Sequence, residues 1–240
     1  MFRHTGKNRT FIHNLKLASL LSLVAGIVNV TGFFSVQTLT TNVTGHFAYF
    51  ADEMVKHSFN TSLIYLFYIV SFLLGAFVSS MLVEAMIRKN VRAIYIIPVA
   101  VEIAILISIA LLNHATIIQN GQIISCWLLF AMGLQNALVT SISNAVVRTT
   151  HLTGLFTDLG IELSQLFFYR KEGQSKHIWT SVRLRLAIIS FFFIGCVGGG
   201  YGYFYIGMYT LLFAALLLLI GLVYDNLKFK IVLLSRKYLK

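Results

Sequence analysis

Three observations predict an all-α membrane protein of six transmembrane helices arranged as two inverted three-helix repeats. Of 240 residues, 58% are hydrophobic and only 11% charged, with a mean hydropathy of +0.81, which leaves too little polar surface to cover a water-soluble globule. Uncharged stretches recur at about 20 residues, the length an α-helix needs to cross roughly 30 Å of hydrocarbon. The third observation is a motif written twice. Ala25-Gly26-Ile27-Val28-Asn29 precedes Asn42-Val43-Thr44-Gly45-His46-Phe47, and Met132-Gly133-Leu134-Gln135-Asn136-Ala137 precedes His151-Leu152-Thr153-Gly154-Leu155-Phe156. In each copy a glycine stands three residues before an asparagine, and a Thr-Gly-x-Phe block follows 15 residues after Asn29 and 17 after Asn136.

Taken in order, the spans are Leu17 to Val36, Leu63 to Val83, Ala93 to Leu112, Ile123 to Ser143, Leu186 to Tyr203 and Gly207 to Tyr224, each bounded by polar, charged or glycine-rich sequence. The first follows a basic segment that imitates a secretory signal, but its apolar part is too long and no small-x-small cleavage site follows, so it is expected to stay as a span. The last two share one uncharged run, and the glycine-rich stretch from Gly198 to Gly207 is expected to form a hairpin between them. The whole chain reads as a single transmembrane domain over 1–240: repeat one at about 15–112, repeat two at about 123–224, and basic tails at 1–16 and 225–240.

The 19 Lys and Arg residues set the orientation. All but Lys56 fall in the two tails and in the second and fourth connections, and basic loops stay cytoplasmic, so both termini are expected inside. Tyr201, Tyr203, Tyr205 and Tyr209 then belong to the outer aromatic belt and Trp179 to the inner one. The net charge of +11 is spread in short clusters between apolar runs, not along one face, which argues against nucleic acid and for a membrane lipid surface.

The connections after spans one and four each carry a short helix, beginning near Asn42 and near Thr150, where a side-chain oxygen can cap the first free N–H groups. In the second of these, Asp158, Glu162 and Gln165 share a face, and aligning the Thr-Gly blocks puts Glu53 opposite Glu162. The likeness continues from Phe72 to Ser80 and from Phe192 to Gly200. There Gly75 with Ser79, and Gly195 with Gly199, form small-x-x-x-small pairs that let membrane helices approach closely. Packing is the plain reading of both, and they are also candidate contacts of a homodimer.

Three spans per repeat is an odd number, so the second copy enters the membrane from the opposite side. Many secondary transporters use this arrangement, because exchanging the conformations of the halves opens a central site to alternate sides. Asn29 and Asn136 lie near the midplane of their spans, where an amide needs a partner in protein or water. Interhelical hydrogen bonding and substrate contact are both open for them, and Gln135 adjoins the second. Glu102 is the acidic residue set in mid-span, one turn after the sole proline, Pro98, which is expected to kink the helix. Proton coupling, cation binding and a purely structural carboxyl are the alternatives for it.

Thr44, Gly45, His46, Thr153, Gly154 and Asp158 are candidate gate or helix-terminus residues, since helix N-termini at a cavity attract anions and at an interface serve as caps. Cys126 and Cys196 read as small core residues. No disulfide, metal or cofactor is implied, and no catalytic constellation shares one face or one connection, so an enzyme is not expected.

The pairing of Ala25-Gly26-x-x-Asn29 with Asn42-x-Thr44-Gly45, and of Ala131 to Ala137 with Thr149-Thr150-x-x-Thr153-Gly154-x-x-Thr157-Asp158-Leu159, resembles the YoaK family of bacterial six-span inner-membrane proteins. The resemblance covers nearly the whole chain. It implies a multi-pass protein of the bacterial cytoplasmic membrane, in a family described as uncharacterised. Members often carry Asp at the position of Asn29 and Asn at that of His46.

The sequence therefore predicts a secondary transporter or permease of a small molecule or ion, with Asn29, Glu102, Gln135 and Asn136 at a central site. A membrane module that binds a partner protein or lipid without transport is the alternative. Substrate, direction and coupling ion are not written in it.

Overall fold

The computed structural model describes residues 10–89, 95–168 and 172–238, with side chains characterised up to Asp225. Among the described residues the regular structure is entirely helical: α1 (Phe11–Val36), α2 (Val43–Val55), α3 (Phe59–Arg88), α4 (Ile96–Ala110), α5 (His114–Gln119), α6 (Gly121–Ser143), α7 (Leu152–Phe168), α8 (Glu172–Ile206) and α9 (Thr210–Tyr238). Arg3, Lys7 and Arg9 of the amino-terminal tail lie outside the described residues.

Among the described residues, four stretches are long and apolar enough to cross a membrane: Phe11–Val36, Phe59–Arg88, Gly121–Ser143 and Gly173–Asp225. The last contains a reversal. Gly207 takes φ +59, open to glycine without steric cost, and the Thr210 side chain returns to within 3.0 Å of a Cβ built on Gly202. In one continuous helix these residues would stand about 12 Å apart along the axis. The break thus sits at Gly207 alone. Gly198 to Gly202, expected to form the hairpin, remain helical in α8, and Gly199 lies against Ile27 and Val30 of α1.

Other expectations need correction. The third predicted span is the 15-residue α4, about 22 Å long, and Pro98 stands in its first turn. Helix N-termini leave their first N–H groups unpaired in any case, so a proline there breaks no hydrogen bond and produces no mid-span kink. Beyond Tyr224, where a tail was expected, α9 runs on to Tyr238. The connection after α4 holds a helix the sequence did not announce, α5, capped by Asn113 Oδ1 accepting from Thr116 N at 2.8 Å.

Helix packing is built on glycine, and each contact occurs twice. In the α1–α8 pair, a Cβ added to Gly26 would overlap Phe192 O, and one added to Gly195 would overlap Leu23 O. In the α3–α6 pair, Gly133 meets Phe72 O and Gly75 meets Phe130 O in the same way. Adding 107 to an α1 number gives its α6 counterpart, and adding 120 to an α3 number gives its α8 counterpart. Both pairs run parallel: Gly26 and Phe34 of α1 meet Phe192 and Tyr203 of α8, while the starts of α3 and α6 come together at Tyr65 and Gln122. By contrast α1 and α6 run antiparallel, since Val36 faces Gly121, Gly32 faces Leu128, and Leu21 O accepts from Gln135 Nε2.

Backbone carbonyls held this close exclude lipid from between the helices and gain dispersion contacts over their length. Gly75 and Gly195 are consequently occupied by helices of their own chain, and neither is free to serve as a contact with a second copy. Even the helix ends match, because α1 and α6 both stop on a left-handed residue, Gln37 and Asn144, each with φ 55.

Candidate functional site

Those left-handed caps turn the chain back toward the helix just completed, and the following segments are pinned there by the two repeated asparagines. Asn29 Oδ1 accepts from Thr41 N at 3.2 Å and from Thr41 Oγ1 at 3.0 Å. Asn136 Oδ1 accepts from Thr150 Oγ1 at 2.8 Å and from Thr149 Oγ1 at 3.4 Å, while its Nδ2 donates to Met132 O at 2.9 Å. A polar group inside an apolar helix needs such a partner, and here the partner is the loop that leads into the next short helix. Thr150 therefore ties down the loop instead of capping α7, which begins at Leu152. In the first copy Asn42 is the cap, its Oδ1 accepting from Gly45 N at 3.0 Å.

Asn29 and Asn136 line the same cavity, of about 500 Å³, together with Phe72 and Phe192 at matched positions of α3 and α8. Thr44 and Thr153, the first-turn threonines of α2 and α7, also line it, as does Arg148. The N-terminal ends of both short helices thus reach the cavity.

A second cavity of about 330 Å³ shares Leu39 and Asn42 with the central one and is walled by Gly45, His46, Tyr49, Tyr65 and Tyr68. His46 is 3% exposed, and its Nε2–H donates to Leu39 O at 2.9 Å, leaving a buried Nδ1 with no protein partner. Burial pushes its pKa below the ordinary 6.5, against the opposing effect of the Leu39 hydrogen bond. Its ring stands edge-on to Tyr68 at 5.4 Å, and Tyr49 stacks on Tyr65 at 5.2 Å.

A third cavity of about 470 Å³ shares Arg148 and His151 with the central one and is lined by Gly154, Leu155, Asp158 and Arg185. Arg185 holds both carboxyl oxygens of Glu162, from Nε at 2.8 Å and from Nη2 at 2.9 Å, and meets Asp158 from Nη1 at 3.0 Å. Position by position, Gly154, Leu155, Asp158 and Arg185 take the places that Gly45, His46, Tyr49 and Tyr65 hold in the second cavity. The three spaces thus form a row, polar in the middle, aromatic at one end and charged at the other.

Two expected site residues lie elsewhere. Gln135 is fully buried in α6 and donates to Leu21 O, so it ties α6 to α1 and does not reach the cavity. Glu102 is fully buried in α4, away from the cavity walls, with no hydrogen-bond partner on either carboxyl oxygen. The helical wheel of α6 holds the signal for the first, because Asn136 and Gln135 are adjacent and must point about 100° apart. The sequence does not mark Thr41, Thr150, Phe72, Phe192 or Arg185 as site residues, although each of the two aromatics opens the segment over which the repeat continues.

No solved structure matches the chain. It is similar to the UPF0700 transmembrane protein YoaK of Bacillus subtilis (strain 168), 27% identical over 183 residues, or 76% of this chain and 79% of that protein. That relative, the long apolar helices and the composition together make this a membrane protein. A family model described as "Protein of unknown function (DUF1275)" matches residues 17–224, and the chain belongs to that family.

Proposed function

We propose that the protein is a secondary transporter or permease of a small solute, built as two inverted repeats of three membrane traverses each. The observation that carries this reading is the single cavity lined at once by Asn29 and Asn136, each held by its own loop, with a further cavity adjoining at either end. An alternating-access carrier needs such a row, with a central site and two mouths that close in turn. The antiparallel course of α1 and α6, and the doubled glycine contacts, support inversion. In this scheme α4 is the third traverse, the arms of the hairpin at Gly207 are the fifth and sixth, and both termini lie on the cytoplasmic side of a bacterial inner membrane, a reading that the placement of Lys and Arg supports.

Gly45 and His46 then stand at the outer mouth and Gly154 and Asp158 at the inner one, while Thr44 and Thr153 face the central cavity between them. Asn29 and Asn136 have a double role, since the bonds that pin the loops must loosen whenever a loop moves.

Single cysteines at Tyr49 and Asp158, which line the two end cavities and not the central one, probed with a membrane-impermeant maleimide from each side in sealed vesicles, test the reading. Two populations are expected, with the Tyr49 position reactive only from outside and the Asp158 position only from inside, and with a shift between them when substrate is supplied from a metabolite panel. Reaction of both residues from the same face would overturn it.

A further inference from the structure

We propose that the central cavity takes a small soluble molecule bearing an oxyanion, a carboxylate or phosphate, with Arg148 as its counter-ion; this deepens the transport reading and rests on it. The inference comes from a census of donors and acceptors on the cavity wall. Three asparagines line the space, and each has its acceptor end already engaged: Asn29 Oδ1 by Thr41, Asn136 Oδ1 by Thr150, and Asn42 Oδ1 by Gly45 N and Thr44 Oγ1. Because a backbone N–H can only donate, the bonds from Thr41 N and Gly45 N fix which end of Asn29 and of Asn42 is oxygen.

What is left over is a set of donors. Asn29 Nδ2, the Thr153 hydroxyl and the Arg148 guanidinium have no protein partner among the described residues. The first-turn N–H groups of α2 and α7 add partial positive charge on the same wall. Among the described residues, no Asp or Glu lines this cavity.

The neighbouring charges sharpen the contrast. Arg185, in the adjoining cavity, is matched by Asp158 and Glu162, whereas Arg148 has no carboxylate within ion-pair distance among the described residues. A ligand that supplies two or three acceptor oxygens and one negative charge can meet Asn29 Nδ2, the Thr153 hydroxyl and Arg148, and a guanidinium fork fits a carboxylate or phosphate through two parallel bonds. A cation would instead face Arg148, an exposed guanidinium that repels it across the cavity. Phe72, Phe192, Leu39 and Leu152 supply the apolar remainder of the wall, and about 500 Å³ is of the size that binds one small organic molecule.

The test uses the full chain in phosphatidylcholine nanodiscs, titrated with inorganic phosphate, with benzoate and with tetramethylammonium, at constant ionic strength in sodium chloride. The expected result is a saturable rise of the thermal midpoint with phosphate or benzoate and none with tetramethylammonium. In Arg148→Gln the apparent affinity falls about ten-fold or more, the scale of one lost charged hydrogen-bonding partner. Arg148→Lys keeps the charge without the fork, and loses less. Lys176→Gln, on an exposed position of α8, changes nothing.

General salting-out by phosphate acts on all variants alike, so the difference between them is the readout. Equal shifts in wild type and Arg148→Gln, no shift with either anion, or stabilisation by tetramethylammonium overturns the proposal. A rise on adding phosphatidylglycerol without soluble anion, abolished in Arg148→Gln, would place a lipid headgroup there and overturn a soluble solute. Flux of the same probes into proteoliposomes separates the two readings. An anion that binds but never crosses keeps the site and ends transport, while flux of tetramethylammonium alone keeps transport and ends the anion.

Discussion

The two ends of the cavity row are built on one backbone plan and filled with different chemistry. At the α2 end the wall is His46, Tyr49, Tyr65 and Tyr68; at the α7 end the matched positions are Leu155, Asp158, Arg185 and Ile188. The glycine contacts beneath are unchanged between the two. Backbone-to-backbone packing thus defines the frame, and side chains at its ends are free to diverge, because they touch cavity and solvent instead of a helix axis. Ring stacking is short-ranged and indifferent to salt, while an ion pair between a fork and two carboxylates is directional and screened. Opening the two ends therefore involves different kinds of interaction, although the movement required is the same.

The frame offers the largest effect with which to break this comparison. Gly26→Val and Gly133→Val each force a side chain into a facing carbonyl, and each should destabilise the protein by on the order of 3 kcal/mol or more, to similar extents, in thermal unfolding in detergent. A large difference between them would deny that the pairs are equivalent.

The ends should then behave unequally. Arg185→Ala is expected to cost about 1–2 kcal/mol, reduced from the value of a buried pair because the arginine side chain is 23% exposed, and the cost should shrink at high salt. Tyr65→Phe at the matched place should stay within about 0.5 kcal/mol and be indifferent to salt, since its hydroxyl has no hydrogen-bond partner among the described residues.

A smaller difference concerns protons. The folded pKa of His46 lies below its unfolded value near 6.5, so above that pH both states are neutral and the full contribution is present. As pH falls below 6.5 the unfolded chain takes up the proton first, and stability declines until the folded pKa is passed. Melting between pH 7 and 5 should show this loss in wild type and less of it in His46→Gln. At the α7 end the equivalent position is Leu155, which carries no proton to exchange.

The smallest effect is a gain. Gly198 has nothing within 4 Å of a built Cβ, so Gly198→Ala should stabilise α8 by about 0.5 kcal/mol through backbone entropy, whereas Ala at neighbouring Gly195 must collide with Leu23 O. Melting of the two variants side by side checks whether the glycines of α8 divide into packed and idle ones.

Much of this was legible in the sequence, and the parts that were not have physical reasons. The spacing of Gly26 to Asn29 and Gly133 to Asn136 shows because a close helix approach and a mid-span amide each demand a particular residue type. The partner of each glycine does not show: small-x-x-x-small marks a face and says nothing about which helix covers it, and for Gly75 and Gly195 the cover came from within the chain. Glu102 and Gln135 look functional in one dimension, but depth along a helix carries no information about which way a side chain points. Pro98 misled because a kink depends on where the helix starts, and starts are weakly encoded in apolar sequence. The contrast of the two ends was hidden because it needs residues from three separate segments to be superposed.

Gly26 and Gly195 stand 169 residues apart in the chain, yet they seal one helix pair. A ribosome making this protein delivers α1 to the membrane long before α8 exists, so the groove on α1 must wait, lined with lipid or held by the insertion machinery, until most of the polypeptide has emerged. Neither half has its proper neighbours without the other. Splitting the gene between α5 and α6 would yield two fragments that depend on meeting each other before either can settle.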